Sequence, residues 1–355
     1  MKRFISLVTF IFIVFIAISG NILRVGSNQT YSSLPQVVSH VAPGDTILIH
    51  QGIYEGRGTF TDLTGEPDKF ITIKSVPGHT VIFRGGSSAF HIKSASFLQI
   101  QGLVFEQQTG NGLNIDDNGN YDTPSHHIRI ENCTFKDINA SGNNDLLKMS
   151  RVEDFVILNC TSSNGAKGGS GLDMVGCHRG LIQACYFENQ GSNAVQAKGG
   201  SQHIRIENNV FKNCGGRTLN LGGSTGLDFF SPKDATFEAA DLQVYFNTII
   251  GSMAAIAYVG CQRVEVAHNT IIDPEKWVIR ILQETVNPQD RFEKCGNNSF
   301  TNNVICKGNK VAIDCNIGSN TTPETFVFSG NIWYNYDDPE WKEPVGIPVN
   351  PTLQP

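Results

Sequence analysis

The sequence predicts an all-β solenoid, a single-stranded parallel β-helix with an N-terminal amphipathic capping helix. Three observations carry the prediction. From residue 85 onward one phrase recurs: a short apolar alternation, a turn, a second alternation of the type "IxIxNNxF", then glycine or asparagine. Repeats of this kind mark stacked architectures. Each phrase holds two or three strands too short to pair within their own unit, so their backbone partners must lie in the units before and after. One position of the phrase, moreover, is held by cysteine or asparagine. The competing repeat fold, a β-propeller, needs four antiparallel strands and a longer repeat per blade.

The chain opens on "MKRFISLVTFIFIVFIAISG", where Lys2 and Arg3 precede an uncharged apolar run from Phe4 to Ile18. That run falls short of the ~20 residues a spanning helix needs. Residues 1–20 therefore read as a secretory signal, with Ala17 and Ser19 fitting a small-x-small cleavage site. The expected destination is outside the cell, in the periplasm or on the cell surface, with no stable membrane insertion after cleavage. Next, "YSSLPQVVSHVAPGDTILIHQGIY" sets Leu34, Val37, Val38 and Val41 on one helical face before a Pro-Gly-Asp turn into strand. Such a helix covers strand edges that an open solenoid leaves unpaired. The coils are expected over residues 21–345, with a tail at 346–355. A chain of 355 residues with net charge -6 carries one large core and no basic footprint for nucleic acid.

Aligning the first apolar residue of each opening alternation gives Leu113, Leu147, Leu172, Val195, Leu219, Ile256 and Ile279, spaced 34, 25, 23, 24, 37 and 23 residues apart. A unit of about two dozen residues is stretched by insertions. The second alternation supplies the cysteine-asparagine column: Cys133, Cys160, Cys185, Asn209, Asn247, Asn269, then Asn303 and Asn331. Stacked asparagines link their amides into a ladder, and cysteine there is a small buried hydrophobe. Cys295, Cys306 and Cys315 lie close enough in sequence for one disulfide among them. The count of nine leaves at least one thiol unpaired.

With an amphipathic cap, "APGDTI", "GIY" and coils carrying an asparagine ladder, the chain resembles the exported right-handed β-helix proteins of the pectate lyase-like superfamily. That resemblance implies a right-handed solenoid and spans lyases, hydrolases, epimerases and non-catalytic adhesion or structural proteins.

If Leu113 and its equivalents point inward, the residues after them point out: Asn114, Lys148, Asp173, Gln196, Asn220, Ala257 and Arg280. Asn114, Asp173, Asn220 and Arg280 are expected to be solvent-accessible on one face. Two positions further on, Val259 and Leu282 border this stripe as apolar surface for a sugar ring. Three insertions, "DDNGNYDTPSHH" from Asp116, "GSTGLDFFSPKDATFEAAD" from Gly223 and "ETVNPQDRFEKCGNNS" from Glu284, follow the same strand of their coils and would wall a groove. Lys198 leaves this wall beside glycine pairs that open the surface. Lys148 and Arg280 space further cations along the stripe, which suits an anionic, uronic-acid polysaccharide bound by a monomer. In β-elimination of a uronate a cation binds the carboxylate, a base takes the adjacent proton and an acid protonates the leaving oxygen.

Around "AVQAKGGSQHIRIENNVF", Lys198 looks like the lysine of chondroitinase B-type and alginate lyase β-helices, where a lysine and an arginine one coil later act as base and acid. The next coil reads "RTLNLGGS", so the nearest cation is Arg217 at the start of the strand. That resemblance implies Lys198 and Arg217 as catalytic candidates. Gly191 and Asn193 stand where that family carries its calcium-holding acidic pair, so calcium has no evident ligand cluster. Asp116, Asp117, Asp145 and Asp173 offer carboxylates for hydrolysis, but the Asn-Thr-Asp and Gly-His-Gly motifs of polygalacturonases are absent. His178, in "GCHRG", sits at a turn beside the groove as a further ligand candidate. Glu238 and Asp241 are expected to pin an insertion by pairing with Arg217. A non-catalytic carbohydrate-binding or cell-surface protein remains the competing class.

Overall fold

A computed structural model describes residues 20–285 and 291–348. The expected leader, apart from Gly20, and the tail beyond residue 348 lie outside the described residues, as does part of the third insertion. Each coil contributes one strand to each of three parallel sheets, of 14, 10 and 11 strands among the described residues. Pairing within the ten-stranded sheet runs Leu113 to Leu147 to Leu172 to Val195 to Leu219 to Ile256 to Ile279, the register of the repeat. All seven are buried in one core that runs the length of the solenoid. Aromatic rings stack through it, Phe83 on Phe105 at 6.0 Å and Phe105 on Phe135 at 5.0 Å.

The turn before the 11-stranded sheet explains the asparagine-rich phrase. Asn132, Asn159, Asn208 and Asn302 take φ of 53 to 55°, a left-handed conformation that asparagine tolerates better than most residues. The residue after each is the ladder position. The Asn209, Asn247 and Asn269 amides each donate to the Oδ1 of the asparagine one coil further on, at 2.9 to 3.0 Å. Cys133, Cys160 and Cys185 continue this column as buried thiols.

Helix Leu34–Val38 is only five residues long, with Leu34 and Val37 buried and Val38 and Val41 partly so against the core. A strand at Ile22–Val25 precedes it and pairs with Thr46–Ile49. All nine cysteines are free. The disulfide expected among Cys295, Cys306 and Cys315 is not formed, because these residues sit apart: Cys306 in strand Val304–Lys307 of the 11-stranded sheet, Cys315 in strand Cys315–Ile317 of the ten-stranded sheet, and Cys295 in an isolated bridge beside Cys261. Among the described residues no helix is long and apolar enough to cross a membrane.

Candidate functional site

The outward face of the ten-stranded sheet carries two columns of side chains. One runs His91, Asn114, Lys148, Asp173, Gln196, Asn220, Ala257, Arg280; the other runs Lys93, Asp116, Ser150, Val175, Lys198. Two clefts lie along this face. The first, about 510 Å³, is lined by Lys93, Lys148, Arg151, Lys198 and Phe229 among others. The second, about 380 Å³, is lined by Gln196, Lys198, Arg217, Asn220, Arg280 and Glu284 among others. Lys198, Asn143 and Ser224 line both, so the clefts join into one groove at Lys198.

The three insertions knit into one wall. Tyr121 of the first donates its hydroxyl to the Asp228 carbonyl of the second, and its ring lies between Arg151 at 4.3 Å and Lys233 at 4.1 Å. In the third, the Arg291 Nε donates to the Ala235 carbonyl at 2.9 Å. The second insertion also reaches back over the coils, its Ser231 N–H donating to the Gly199 carbonyl at 2.9 Å. A Cβ on Gly200 would stand 2.5 Å from the Ser231 carbonyl oxygen. The glycine pair thus admits the insertion's backbone, whereas the sequence suggested that it opens the surface.

Asp173 anchors the floor. It is 0 % exposed, not accessible as its place in the alternation suggested, because the Lys148 ammonium pairs with one oxygen and that of Lys198 lies 3.4 Å from the other. The Lys148 ammonium also lies 3.5 Å from Asp145. Burial works to lower the Lys148 pKa, but the Asp173 and Asp145 charges outweigh it and hold it above the ordinary value. Burial, reinforced by the Asp173 charge, pushes Asp145 up to about 6. Arg151 pairs through two nitrogens with the buried Asp117, and the hydrogen bond to Asp117 raises its pKa.

In the second cleft Lys198 reaches back to Gln196 Oε1 at 3.4 Å, while Arg217 Nη1 reaches forward to Asn220 Oδ1 at 3.2 Å. Gln196 and Asn220 are paired neighbours on adjacent strands, so two cations converge from opposite ends of their strands onto a spacing of about 4.8 Å. Glu284 of the third insertion clamps Arg217. Arg280 lies over the Trp277 ring at 4.3 Å, and burial, then the Arg217 charge, lowers its pKa.

Several sequence expectations need correction. Asn220 is only 3 % exposed, although it lines the second cleft. Asn114 stays in the stripe, its amide 3.4 Å from Asp116, but lines neither cleft. Val259 and Leu282 offer no platform: with Ala257 they form a second small buried cluster where the second and third insertions leave the sheet. His178 is buried in the neighbouring sheet, its Nε2 donating to the Gly200 and Ser231 carbonyls at 3.2 and 3.0 Å, so it fastens the second insertion and does not face the groove. Glu238 also pins that insertion, but by accepting from Gly199 N–H, Thr225 and Thr285; Asp241 pairs with Arg263, and neither contacts Arg217. Lys93, Arg151, Glu284 and Phe229 were not singled out from the sequence. "FHIK" at Phe90 has the same alternation and register as "LNID" at Leu113 and carried the signal for Lys93.

Among the described residues no group of three or more His, Cys, Asp or Glu is placed to hold a metal ion. The Asn193 amide donates to Ser170 Oγ and Ser192 Oγ, each at 3.2 Å, and Gly191 has no side chain. These donors do not fit calcium.

Stacked coils, a polar ladder and a walled groove along one parallel sheet define a parallel β-helix. The family described as "right handed beta helix region" matches residues 88–271, just over half of the chain, and the chain belongs to that family. No curated protein sequence matches it. Among solved structures it is similar to alginate lyase from Paenibacillus sp. str. FPU-7, with a TM-score of 0.55 and 15% identity over 90% of this chain and 99% of that one. The pectate lyase Pel9A aligns with a TM-score of 0.57 and 15% identity over 88% and 80% of the two chains. The Azotobacter vinelandii mannuronan C-5 epimerase AlgE4 A-module gives 0.57 and 13% identity over 82% and 90%. At these identities the likeness is one of fold.

Proposed function

We propose that this chain, exported by its apolar leader, acts as a monomer on an acidic, uronic-acid polysaccharide lying along the groove from Lys93 to Arg280. The observation that carries the reading is the junction of the two clefts at Lys198, with Lys148 and Arg151 on one side and Arg217 and Arg280 on the other. Cations spaced along a groove in a chain of net charge -6 select for carboxylates on a linear polymer. The fold's presence in proteins named for alginate, pectate and mannuronan supports the same substrate class.

The reaction that suits this arrangement is β-elimination. Arg217 and Gln196 hold the uronate carboxylate, which acidifies the neighbouring C5–H. Lys198 Nζ, at the junction of the clefts, is the group placed to accept the C5 proton. The C4–O4 bond then breaks as the C4–C5 double bond forms, O4 takes a proton from water, and Lys198 returns the C5 proton to solvent. Lys148 keeps Asp173 neutralised beneath, so the floor does not repel the substrate.

A second reading, non-catalytic binding of the same glycan, is favoured by one observation: Lys198 and Arg217 both have protein partners, Asp173 and Glu284. Incubation with mannuronate-, guluronate- and galacturonate-based polymers, followed at the ultraviolet absorbance of the unsaturated product, separates the two. Absorbance that rises with wild type and not with Lys198→Met supports elimination. Retention on an immobilised polymer with no absorbance change supports binding alone. Neither signal from any acidic polymer sinks both.

A further inference from the structure

Two thiols outside the groove stand apart from the rest. Gln262 bridges in parallel to Gly296, which makes Cys261 and Cys295 in-register neighbours on adjacent coils. Their Cα atoms are therefore about 4.8 Å apart, within the ~4.4–6.8 Å that a disulfide spans. Register alone does not bring sulfurs together, since neighbouring Cβ atoms point in parallel. In the ladder column the Cys133, Cys160 and Cys185 thiols instead turn to the Ile100, Ile130 and Ile157 carbonyls at 3.7, 3.5 and 3.7 Å. Cys261 and Cys295 turn towards each other, Sγ to Sγ at 3.9 Å, in a fully buried site. Burial raises the Cys295 pKa, but the hydrogen bond from Cys261 and neighbouring backbone groups outweigh it and set it below its ordinary value. Cys261 is raised, by burial first. Cys295 is thus the member that more readily gives a thiolate.

We propose that Cys261 and Cys295 are a disulfide-forming pair that closes when the folding or locally opened chain meets a small-molecule disulfide such as oxidised glutathione. The Cys295 thiolate attacks the reagent's S–S bond, forming a mixed disulfide and releasing one thiolate. Cys261 then loses its proton, attacks the Cys295 sulfur and displaces the second thiolate. Two protein thiols are oxidised and one reagent disulfide is reduced to two thiols, so electrons and protons balance. Cys295 lies on the return of the third insertion, which begins at the Glu284 that clamps Arg217. Closing the bond ties that groove wall to the coil beneath it.

The full chain, purified reduced, is incubated with excess oxidised glutathione in buffer and in mild urea that permits local opening. It is then alkylated in denaturant, weighed and mapped by fragment-ion sequencing. The expected product has lost two hydrogens and leaves seven alkylated thiols, nine less two. Its linked peptides join residues 261 and 295; Cys306→Ser leaves the link intact, whereas Cys261→Ser and Cys295→Ser each abolish it. On reduction its melting temperature drops by a few degrees. Nine alkylated thiols, a glutathione adduct without a crosslink, or a link through Cys306 or Cys315 would each overturn the assignment.

Discussion

Lys148 and Asp173, paired neighbours on adjacent strands, form an ion pair in which the carboxylate has no exposed surface and only the ammonium meets the groove. A second ammonium, Lys198, lies 3.4 Å from the other carboxylate oxygen, which has no hydrogen-bond donor of its own. The Lys148 and Lys198 ammonium groups therefore share one buried carboxylate.

Asp173→Asn leaves both ammonium groups facing a neutral amide. Breaking a buried pair by removing one partner costs about 3 kcal/mol. Urea unfolding should register that loss, while Lys198→Met, with Lys148 still paired to the carboxylate, should cost less. Equal losses from the two variants would mean that Lys198, not Lys148, is the principal partner.

Lys198→Met also tests the groove. Affinity for an acidic polymer, or turnover, should fall tenfold or more, about 1.4 kcal/mol. Titration calorimetry against a uronic-acid oligosaccharide gives the number, and unchanged binding removes Lys198 from the site.

Asp145 makes stability depend on pH. Its folded pKa, about 6, lies above the ordinary 3.8, so the folded state holds the proton more tightly than the unfolded chain. Its contribution is most favourable below 3.8 and is lost as pH rises through about 6. Asp145→Asn should flatten the urea midpoint's fall across that window. A slope unaltered by the substitution would assign the fall to other groups.

Phe229 is 59 % exposed yet lines the first cleft among cations and amides. An apolar ring in that position suits the C–H face of a sugar. Phe229→Ala should weaken glycan binding several-fold without lowering the melting temperature, and Phe229→Tyr should restore it. Binding equal to wild type in both variants would leave the ring outside the binding surface.

Asn247 accepts from the Asn209 N–H and amide and donates to Ile206 O and Asn269 Oδ1, at 2.9 to 3.0 Å. Asn247→Ala strands several buried polar groups and should cost about 3 kcal/mol. Asn247→Cys imitates the earlier half of the column, where Cys185 Sγ accepts from the Cys160 N–H at 3.4 Å, and should cost less. Calorimetric melting of the two variants decides the order.

What the sequence determined by itself was the register. A strand's side chains alternate with period two, and stacked coils repeat the same local turn, so Leu113 through Ile279 and the column from Cys133 to Asn331 could be aligned without knowing how the coils meet. The leaving points of the three insertions followed from the same alignment. Tertiary structure decided which outward residues face solvent and which pair with one another. Asp173 occupies the same kind of position as Gln196, yet lies buried because two lysines on different strands close over it. Arg217 meets Glu284 across 67 residues, and His178 reaches the Ser231 carbonyl across 53. These contacts depend on insertions that fold back over several coils, and an insertion has no period from which its path can be read.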